Sequence, residues 1–166
     1  MTPRMHYVDE GPRDAQETIL CLHGEPTWSF LYRYMIPLLA NAGYRVIAPD
    51  FIGFGKSDKY SSMDNYTHEM HMTSLRQLIE ALELKNITLV CQDWGGLTGL
   101  SVVKDIPEHF SHLVIMNTGL PDGHDVKIEN FIGRNAAPIK MLFCSEFHGS
   151  IGGGIQYDPY ASFLVF

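Results

Sequence analysis

One aspartate, Asp93, stands between an apolar run and a pair of glycines, in the stretch LVCQDWGG at residues 89–96. A buried carboxylate is costly unless it is paired or hydrogen-bonded. The residue is therefore either held for a structural reason or positioned to react. Small residues on both sides of a reactive side chain, at a turn from a strand into a helix, are typical of a nucleophile elbow. Cys91 and Gly95 meet that requirement, and the N–H groups that open the following helix would favour an ionised carboxylate.

An aspartate at an elbow performs different chemistry from a serine. A serine needs a base to remove its proton, whereas a carboxylate is already ionised at neutral pH. An aspartate can displace a leaving group from an sp³ carbon, which leaves an alkyl ester. A water molecule activated by a base then cleaves the ester, and an oxyanion hole stabilises the tetrahedral intermediate. The backbone N–H groups of Glu25 and Trp94 are the expected donors, one in a loop after an earlier strand and one directly after the nucleophile.

The elements that would position Asp93 follow from the apolar pattern. Four continuous apolar runs predict strands buried on both faces: ETILCLHG, YRVIAPD, NITLVCQ and SHLVIMNTG. A fifth segment, RMHYVDEG, predicts a short strand that ends in a turn. Helical spacing lies between them, over SFLYRYMIPLLANAG, HEMHMTSLRQLIEALEL and GGLTGLSVVKDI. The alternation predicts an α/β protein with a mainly parallel central sheet and flanking helices. Because reactive groups lie beyond the carboxyl ends of such strands, His23, Asp50 and Asp93 are predicted at one edge.

Several features are predicted within the helices. Ser29 is a candidate N-cap, and Pro37 would kink the first helix or divide it into two shorter pieces. Thr67 is the predicted N-cap of the second helix. His68 and His71 have the i, i+3 spacing of a metal pair, but no third ligand is evident, and a solvated helix face is the favoured interpretation.

Composition excludes several functional classes. The 166 residues carry 12 Lys and Arg against 19 Asp and Glu, a net charge of −7, which disfavours nucleic-acid binding and a basic membrane surface. Cys21, Cys91 and Cys144 have no paired spacing and predict buried, reduced thiols. No signal peptide or membrane span is apparent, so a cytoplasmic protein is predicted. GFGKS is not a phosphate loop, because Asp50 stands where that motif needs a glycine. No metal or cofactor is predicted.

Three segments, in this order, closely resemble the haloalkane dehalogenases, a branch of the α/β-hydrolase fold superfamily: HGEPTWSFLYRYMIPLLANAGYRVIAPDFIGFGKSD, NITLVCQDWGG and LVIMNTGLPDG. The resemblance implies that Asp93 attacks the halogen-bearing carbon of a small haloalkane and forms a covalent ester. It implies that the indole N–H of Trp94 holds the departing halide and that the amides of Glu25 and Trp94 form the oxyanion hole. Glu25 also implies the subgroup whose second halide donor is a tryptophan of the cap.

The resemblance covers only the N-terminal half of the family pattern. It implies that residues 1–119 form part of the core and that residues 120–166 begin the cap or form an irregular tail, with a helix over KIENFIGR. The chain is expected to begin at the second strand of the fold and to lack the late strands. Asn117 stands where some relatives carry the catalytic acid, no cap tryptophan is present, and no late histidine motif follows. We therefore expect an incomplete enzyme without its catalytic histidine.

Each residue also has a simpler interpretation. Asp93 could merely cap the helix that begins at Trp94, because aspartate is a favoured N-cap. Trp94 taken alone would be a core aromatic residue. His23 is expected to orient its loop by hydrogen bonding and not to act as a base, and Asp50 is expected to fix the turn before Gly53.

Two further functions stay open. An epoxide hydrolase uses the same elbow aspartate but relies on cap tyrosines to protonate the epoxide, and Tyr157 and Tyr160 are the candidates in the tail. A non-catalytic, truncated fragment is the other alternative. Missing strands would then leave sheet edges and an apolar face exposed, which favours self-association or a partner.

Overall fold

The computed structural model of the protein describes residues 3–119, 140–144 and 164–165. These residues form seven strands: β1 Tyr7–Glu10, β2 Thr18–Leu22, β3 Arg45–Pro49, β4 Ile87–Gln92, β5 Phe110–Met116, β6 Lys140–Cys144 and β7 Leu164–Val165. They also form three α-helices: α1 Met35–Asn41, α2 His68–Ala81 and α3 Trp94–Asp105. Single 3₁₀ turns cover Ser29–Tyr32, Met63–Asn65 and Pro107–His109.

The strands form one sheet in the order β1-β3-β2-β4-β5-β6-β7. The pairs β3–β2, β2–β4, β4–β5 and β5–β6 are parallel, while β1 and β7 run antiparallel to their neighbours. The mainly parallel α/β sheet is therefore confirmed. Its parallel strands end at one edge, where the side chains that follow β2, β3, β4 and β5 meet.

Helices cover both faces of the sheet, which explains why β2 is buried along its whole length. On one face, six apolar residues of α2 and α3 pack against the strands: Leu75, Leu78, Ile79, Leu100, Val102 and Val103. On the other face, Tyr32 and Ile36 pack against Ile19, Val46 and Ala48. These two layers hold the strand ends in fixed register. In the described part of the chain, no helix is long and apolar enough to cross a membrane.

The predicted helix over residues 29–43 is two pieces, as its proline suggested. A 3₁₀ turn ends at Tyr32, and α1 begins at Met35. Pro37 lies in the first turn of α1, where its missing N–H breaks no helical hydrogen bond. The prediction that Ser29 is the N-cap is wrong, because Ser29 is the first residue of the 3₁₀ turn and Trp28 occupies the N-cap position. The N–H of Ser29 donates instead to a carboxylate of the site described below.

The helix α2 begins where predicted but is less exposed than expected. Thr67 caps it, its hydroxyl accepting from the N–H of Met70 at 3.1 Å. The expectation of a solvated face at His68 and His71 is wrong: both rings are half-buried, and one nitrogen of each is buried without a partner. The ring of His71 packs edge-on against Phe51, with centroids 5.6 Å apart. The loop after β3 covers this part of α2, which the helical spacing alone does not reveal.

The cysteines described in the structure are free thiols, as predicted. Cys21 and Cys91 are buried on opposite faces of the sheet, one in each core layer. Burial raises the pKa of each thiol to about 12, so neither ionises near neutral pH. Cys144 lies in β6.

Two strands fall in the region that was predicted to begin a cap or to form an irregular tail. Residues 140–144 pair in parallel with β5, and residues 164–165 pair with β6. The expectation that no further strand follows β5 is therefore wrong at these positions. The strand β6 was missed because the four apolar residues of MLFC lack the length and bounding turns of the earlier strands. The boundary between residues 119 and 120 stays a prediction. The helix expected over KIENFIGR, with Tyr157 and Tyr160, lies outside the described residues.

Candidate active site

Asp93 occupies a strained turn between β4 and α3. Its backbone has φ 53° and ψ −126°, a region that non-glycine residues rarely adopt and that costs about 1–3 kcal/mol. Its side chain makes no capping hydrogen bond to α3, so the interpretation of Asp93 as a simple N-cap is wrong. Instead, the N–H of Glu25 donates to Asp93 Oδ1 at 2.9 Å. The turn thus directs the carboxylate across the strand ends toward the loop after β2.

Glycines permit this close approach. A Cβ atom at Gly24 would overlap the side chain of Asp93, and one at Gly95 would overlap the carbonyl groups of Leu22 and His23. The loop after β2 and the start of α3 can therefore pack against each other only because these positions carry no side chain. This packing brings the amide of Glu25 to the carboxylate.

Trp94 follows the nucleophile candidate directly and is half-exposed at 50%. The interpretation of Trp94 as a core aromatic residue is therefore wrong. Its N–H is the first of α3 and has no acceptor within the helix. Of the two amides predicted for the oxyanion hole, that of Glu25 contacts the Asp93 carboxylate, and that of Trp94 follows Asp93 directly in the chain.

The end of β5 holds the backbone of Asp93 from the side opposite Glu25. The N–H of Asp93 donates to the carbonyl of Asn117 at 3.2 Å. The hydroxyl of Thr118 donates to the carbonyl of Asp93 at 2.6 Å. Sequence reasoning missed both contacts, because neither residue type signals them. The signal lies in the register, which pairs Gln92 with Met116 and so places the next residues of the two strands side by side.

His23 is a buried, neutral residue that joins two loops. Its ring is 1% exposed, its Nε2 accepts from the N–H of Phe51 at 2.9 Å, and its Nδ1 lies 2.9 Å from the carbonyl of Gly24. Because an amide can only donate, Nε2 is unprotonated and Nδ1 carries the hydrogen. Burial lowers the pKa of the ring below its ordinary value. Both nitrogens are occupied, which agrees with the predicted orienting role and excludes His23 as a base.

Asp50 fixes the loop that follows β3. Its side chain is fully buried; Oδ1 accepts from the N–H of Ser29, and Oδ2 accepts from the N–H of Lys56, both at 2.9 Å. His6 Nδ1 lies 3.0 Å from Oδ2. Burial alone would raise the pKa of Asp50, but the amides of Lys56 and Ser29, the Ser29 side chain and His6 outweigh it and lower the pKa. Its carboxylate is used by these contacts, so the predicted structural role fits the geometry.

The neutral state of His23 leads to a prediction about pH. Burial lowers the pKa of His23 and of His71 from an ordinary value of 6.5, so the unfolded chain binds more protons than the folded one in that range. The free energy of unfolding should therefore have its full value above about pH 6.5. It should fall as the pH drops toward the pKa values that the two histidines have in the folded chain. Urea denaturation at about pH 7.5 and about pH 5 measures this loss of stability. Asp50 contributes a further loss only when the pH falls below 3.8, the ordinary pKa of its carboxyl group.

The variant His23→Gln tests which residue is responsible. It loses a buried hydrogen bond and should be less stable by about 1–3 kcal/mol at neutral pH. Its stability should fall less than that of the wild type between the two pH values. An identical fall in both proteins would contradict the assignment to His23, and His71→Gln provides the matched comparison.

The geometry around Asp93 suits nucleophilic attack by a carboxylate. Oδ1 is held by an amide, whereas Oδ2 accepts no hydrogen bond from the described residues. A carboxylate with one oxygen held and one free can attack with the free oxygen and keep the other as a carbonyl. Within the same residues, no three His, Cys, Asp or Glu side chains lie close enough together to hold a metal ion.

The order of the strands, the strained turn at Asp93 and the flanking amides define a class of protein. Residues 17–135 match the family model described as the alpha/beta hydrolase fold. The chain therefore belongs to the α/β hydrolase fold family.

Within this family, the chain is homologous to haloalkane dehalogenases. It is 54% identical over 124 residues to the haloalkane dehalogenase of Psychrobacter cryohalolentis, which covers 74% of this chain and 41% of that protein. The tetrameric haloalkane dehalogenase DpaA of Paraglaciecola agarilytica superimposes with a TM-score of 0.72 and 54% identity, over 75% of this chain and 42% of that one. An epoxide hydrolase of Vigna radiata gives a TM-score of 0.66 and 29% identity, over 72% and 36%. The chain spans about two fifths of the length of the dehalogenases that it matches.

Proposed function

We propose that this chain carries the nucleophilic half of a haloalkane dehalogenase, with Asp93 as the residue that forms the covalent ester. The observation that carries the proposal is the Asp93 carboxylate, presented by a strained turn with Oδ1 on the amide of Glu25 at 2.9 Å. The homology to haloalkane dehalogenases supports the choice of a halogenated alkane as substrate. The predictions of a cytoplasmic location and of self-association through sheet edges stay predictions.

The first chemical step is a substitution at carbon. Asp93 Oδ2 attacks the carbon that bears the halogen, a C–O bond forms, and the halide leaves with the electrons of the C–X bond. Oδ1 becomes the carbonyl oxygen of the ester and keeps the hydrogen bond from Glu25. The half-exposed indole of Trp94, next in the chain, is the proposed donor to the departing halide. A halide leaves as a stable anion, so this step needs no proton.

The second step is hydrolysis of the ester. Water adds to the Asp93 carboxyl carbon and gives its proton to a base, and the negative charge develops on Oδ1. The amides of Glu25 and Trp94 are the proposed donors to this oxyanion. As the intermediate collapses, the bond between the carboxyl carbon and the alkoxide oxygen breaks and the protonated base gives its proton to the alkoxide, which leaves as the alcohol. The Asp93 acid then loses its proton to solvent and becomes the carboxylate again. Among the described residues, no histidine bonds to Asp93, and both nitrogens of His23 are occupied. The described residues thus supply no base for this water, and the expectation that the 166-residue chain stops at the ester stays a prediction.

Epoxide hydrolysis is the second candidate function, because the structural similarity extends to an epoxide hydrolase. Attack of Asp93 on an epoxide carbon opens the ring only if an acid protonates the leaving oxygen. In the described part of the chain, the buried tyrosine closest in sequence to the site loop, Tyr32, already donates to the carbonyl of Leu22 at 2.8 Å, and burial raises its pKa. A substrate whose leaving group needs no proton therefore fits the described site better.

The proposal is tested by treating the 166-residue chain with 1-bromobutane and measuring its intact mass. We expect one butyl group per chain, located on Asp93 by peptide mapping and removed by mild alkali. Alkali-lability separates an ester from a thioether on cysteine, and Cys21 and Cys91 are protected by burial and by a pKa of about 12. Styrene oxide, offered in parallel, reports on the epoxide alternative.

Each outcome of this experiment decides between the candidates. A butyl ester on Asp93 without continued release of bromide supports the proposal. Sustained turnover would contradict the expectation that the chain stops at the ester. An adduct from the epoxide alone would favour the second candidate, and no adduct from either compound would indicate the non-catalytic fragment.

A further inference from the structure

We propose that Thr118 is a positioning residue, which fixes the reactive carboxylate by holding the main chain of Asp93 to the end of β5. The inference rests on the proposed role of Asp93 as nucleophile. It concerns a residue outside the nucleophile elbow and outside the loop after β2. Thr118 touches the peptide of Asp93 and not its carboxylate, so it acts through that residue.

The peptide groups of Asp93 are bonded on both sides to two consecutive residues of the neighbouring strand end. The N–H of Asp93 donates to the carbonyl of Asn117 at 3.2 Å, and the hydroxyl of Thr118 donates to the carbonyl of Asp93 at 2.6 Å. Asn117 itself has a positive φ of 38°, which turns the chain directly after β5. This turn lets one residue accept from Asp93 and the next residue donate to it.

The bond from Thr118 differs in kind from the other bonds to the same oxygen. The carbonyl of Asp93 also accepts from the N–H groups of Gly96 at 2.9 Å and Leu97 at 3.3 Å. Those two bonds tie Asp93 only to its own helix, and they would move with the helix. The hydroxyl of Thr118 ties it to a neighbouring strand of the sheet, and at 2.6 Å it is the shortest of the three.

This tie matters because Asp93 is strained and its carboxylate must meet a fixed partner. A residue held at φ 53° persists only when its surroundings oppose relaxation. The carboxylate reaches the amide of Glu25, which lies in a separate loop, at 2.9 Å. Rotation of the Asp93 peptide would carry Oδ1 away from that amide. The Thr118 hydroxyl therefore preserves the register between the nucleophile and its oxyanion donor.

Packing offers a different explanation, and the structure allows the two to be separated. A Cβ atom at Gly96 would overlap the side chain of Thr118, so Thr118 also lies directly against the first turn of α3. The variant Thr118→Val keeps the shape and loses the hydrogen-bond donor. The variant Thr118→Ser keeps the donor and loses the methyl group. The variants Thr118→Ser and Thr118→Ala differ only in the hydroxyl.

The test measures amide hydrogen exchange of Glu25 by NMR in the 166-residue chain, relative to the amide of Leu20 within β2. It also measures the rate of butyl ester formation from 1-bromobutane. We expect Thr118→Val to raise the relative exchange rate at Glu25 about tenfold and to slow ester formation by about 10- to 100-fold. Thr118→Ser should stay within about threefold of the wild type in both. Thr98→Val, a buried threonine of α3, controls for loss of a hydroxyl elsewhere.

Two results would overturn the inference: unchanged exchange at Glu25 in Thr118→Val, or equal effects of the Val and Ser variants, which would indicate packing. If circular dichroism shows that the Val variant does not fold, the Ser and Ala variants decide by the same comparison. If the wild type forms no ester, the proposed function fails, but the exchange at Glu25 still decides the role of Thr118.

Discussion

Asp93→Asn is expected to abolish the butyl ester, reducing its rate of formation by more than about 1,000-fold. A neutral amide lacks the negative charge that lets a carboxylate displace halide without a base. The amide oxygen can still accept the N–H of Glu25, which lies 2.9 Å from Oδ1 in the wild type. The fold should therefore persist, with the free energy of unfolding within about 1 kcal/mol of the wild type. Intact mass and urea denaturation measure the two quantities.

The matched control for this variant is Asp64→Asn, which removes an exposed carboxylate from the 3₁₀ turn at Met63–Asn65. It should leave ester formation unchanged. An alkali-labile adduct of unchanged yield in Asp93→Asn would show that another carboxylate reacts, and the assignment of the nucleophile would then be wrong.

Gly24→Ala is expected to slow ester formation by about 100-fold while the chain stays folded. A Cβ atom at this position would overlap Cβ, Cγ and Oδ1 of Asp93, so the carboxylate must leave the amide of Glu25 or the loop must move. Either change separates the proposed nucleophile from its proposed oxyanion donor. Because the added methyl overpacks a buried position, stability should fall by about 1–3 kcal/mol. The rate of the ester adduct and the unfolding midpoint in urea are the measurements.

Gly119→Ala provides the comparison for this glycine. A Cβ atom at Gly119 would meet nothing within 4 Å, and its backbone has no positive φ to favour glycine. The control should match the wild type in both measurements. If Gly24→Ala reacts as fast as the wild type, the contact between Glu25 and Asp93 has no part in the chemistry.

The core of the fold was predictable because a strand that is buried on both faces has a continuous apolar sequence. The strands β2, β3 and β4 each appear as an unbroken apolar run that ends in a turn residue. The strand β6 was missed because its apolar stretch is only MLFC, in a region without clear period. The half-burial of His68 and His71 was missed because a loop from elsewhere in the chain covers them, and helical spacing carries no information about loops.

The candidate site was predictable at positions where the chemistry requires a particular residue type. It was not predictable at positions that act only through a contact formed in the folded chain. Asp93 was selected as a candidate because it is a carboxylate among small residues, and its contact with the amide of Glu25 followed from the position of that loop. Thr118 gave no such signal, since a hydroxyl that bonds a backbone carbonyl leaves no spacing pattern. Its role depends on the alignment of β4 and β5, which is a property of the folded sheet.

The contacts of Asp93 also determine the order in which the parts of the site can assemble during synthesis on the ribosome. The carboxylate is held by the amide of Glu25, and its peptide is held by Asn117 and Thr118. At about 5–20 residues per second, several seconds of synthesis separate the first of these positions from the last. Until β5 has emerged and paired with β4, the peptide of Asp93 lacks its bonds to Asn117 and Thr118. If Asp93 is the nucleophile, as proposed, we expect its reactivity to appear only when this part of the sheet is assembled.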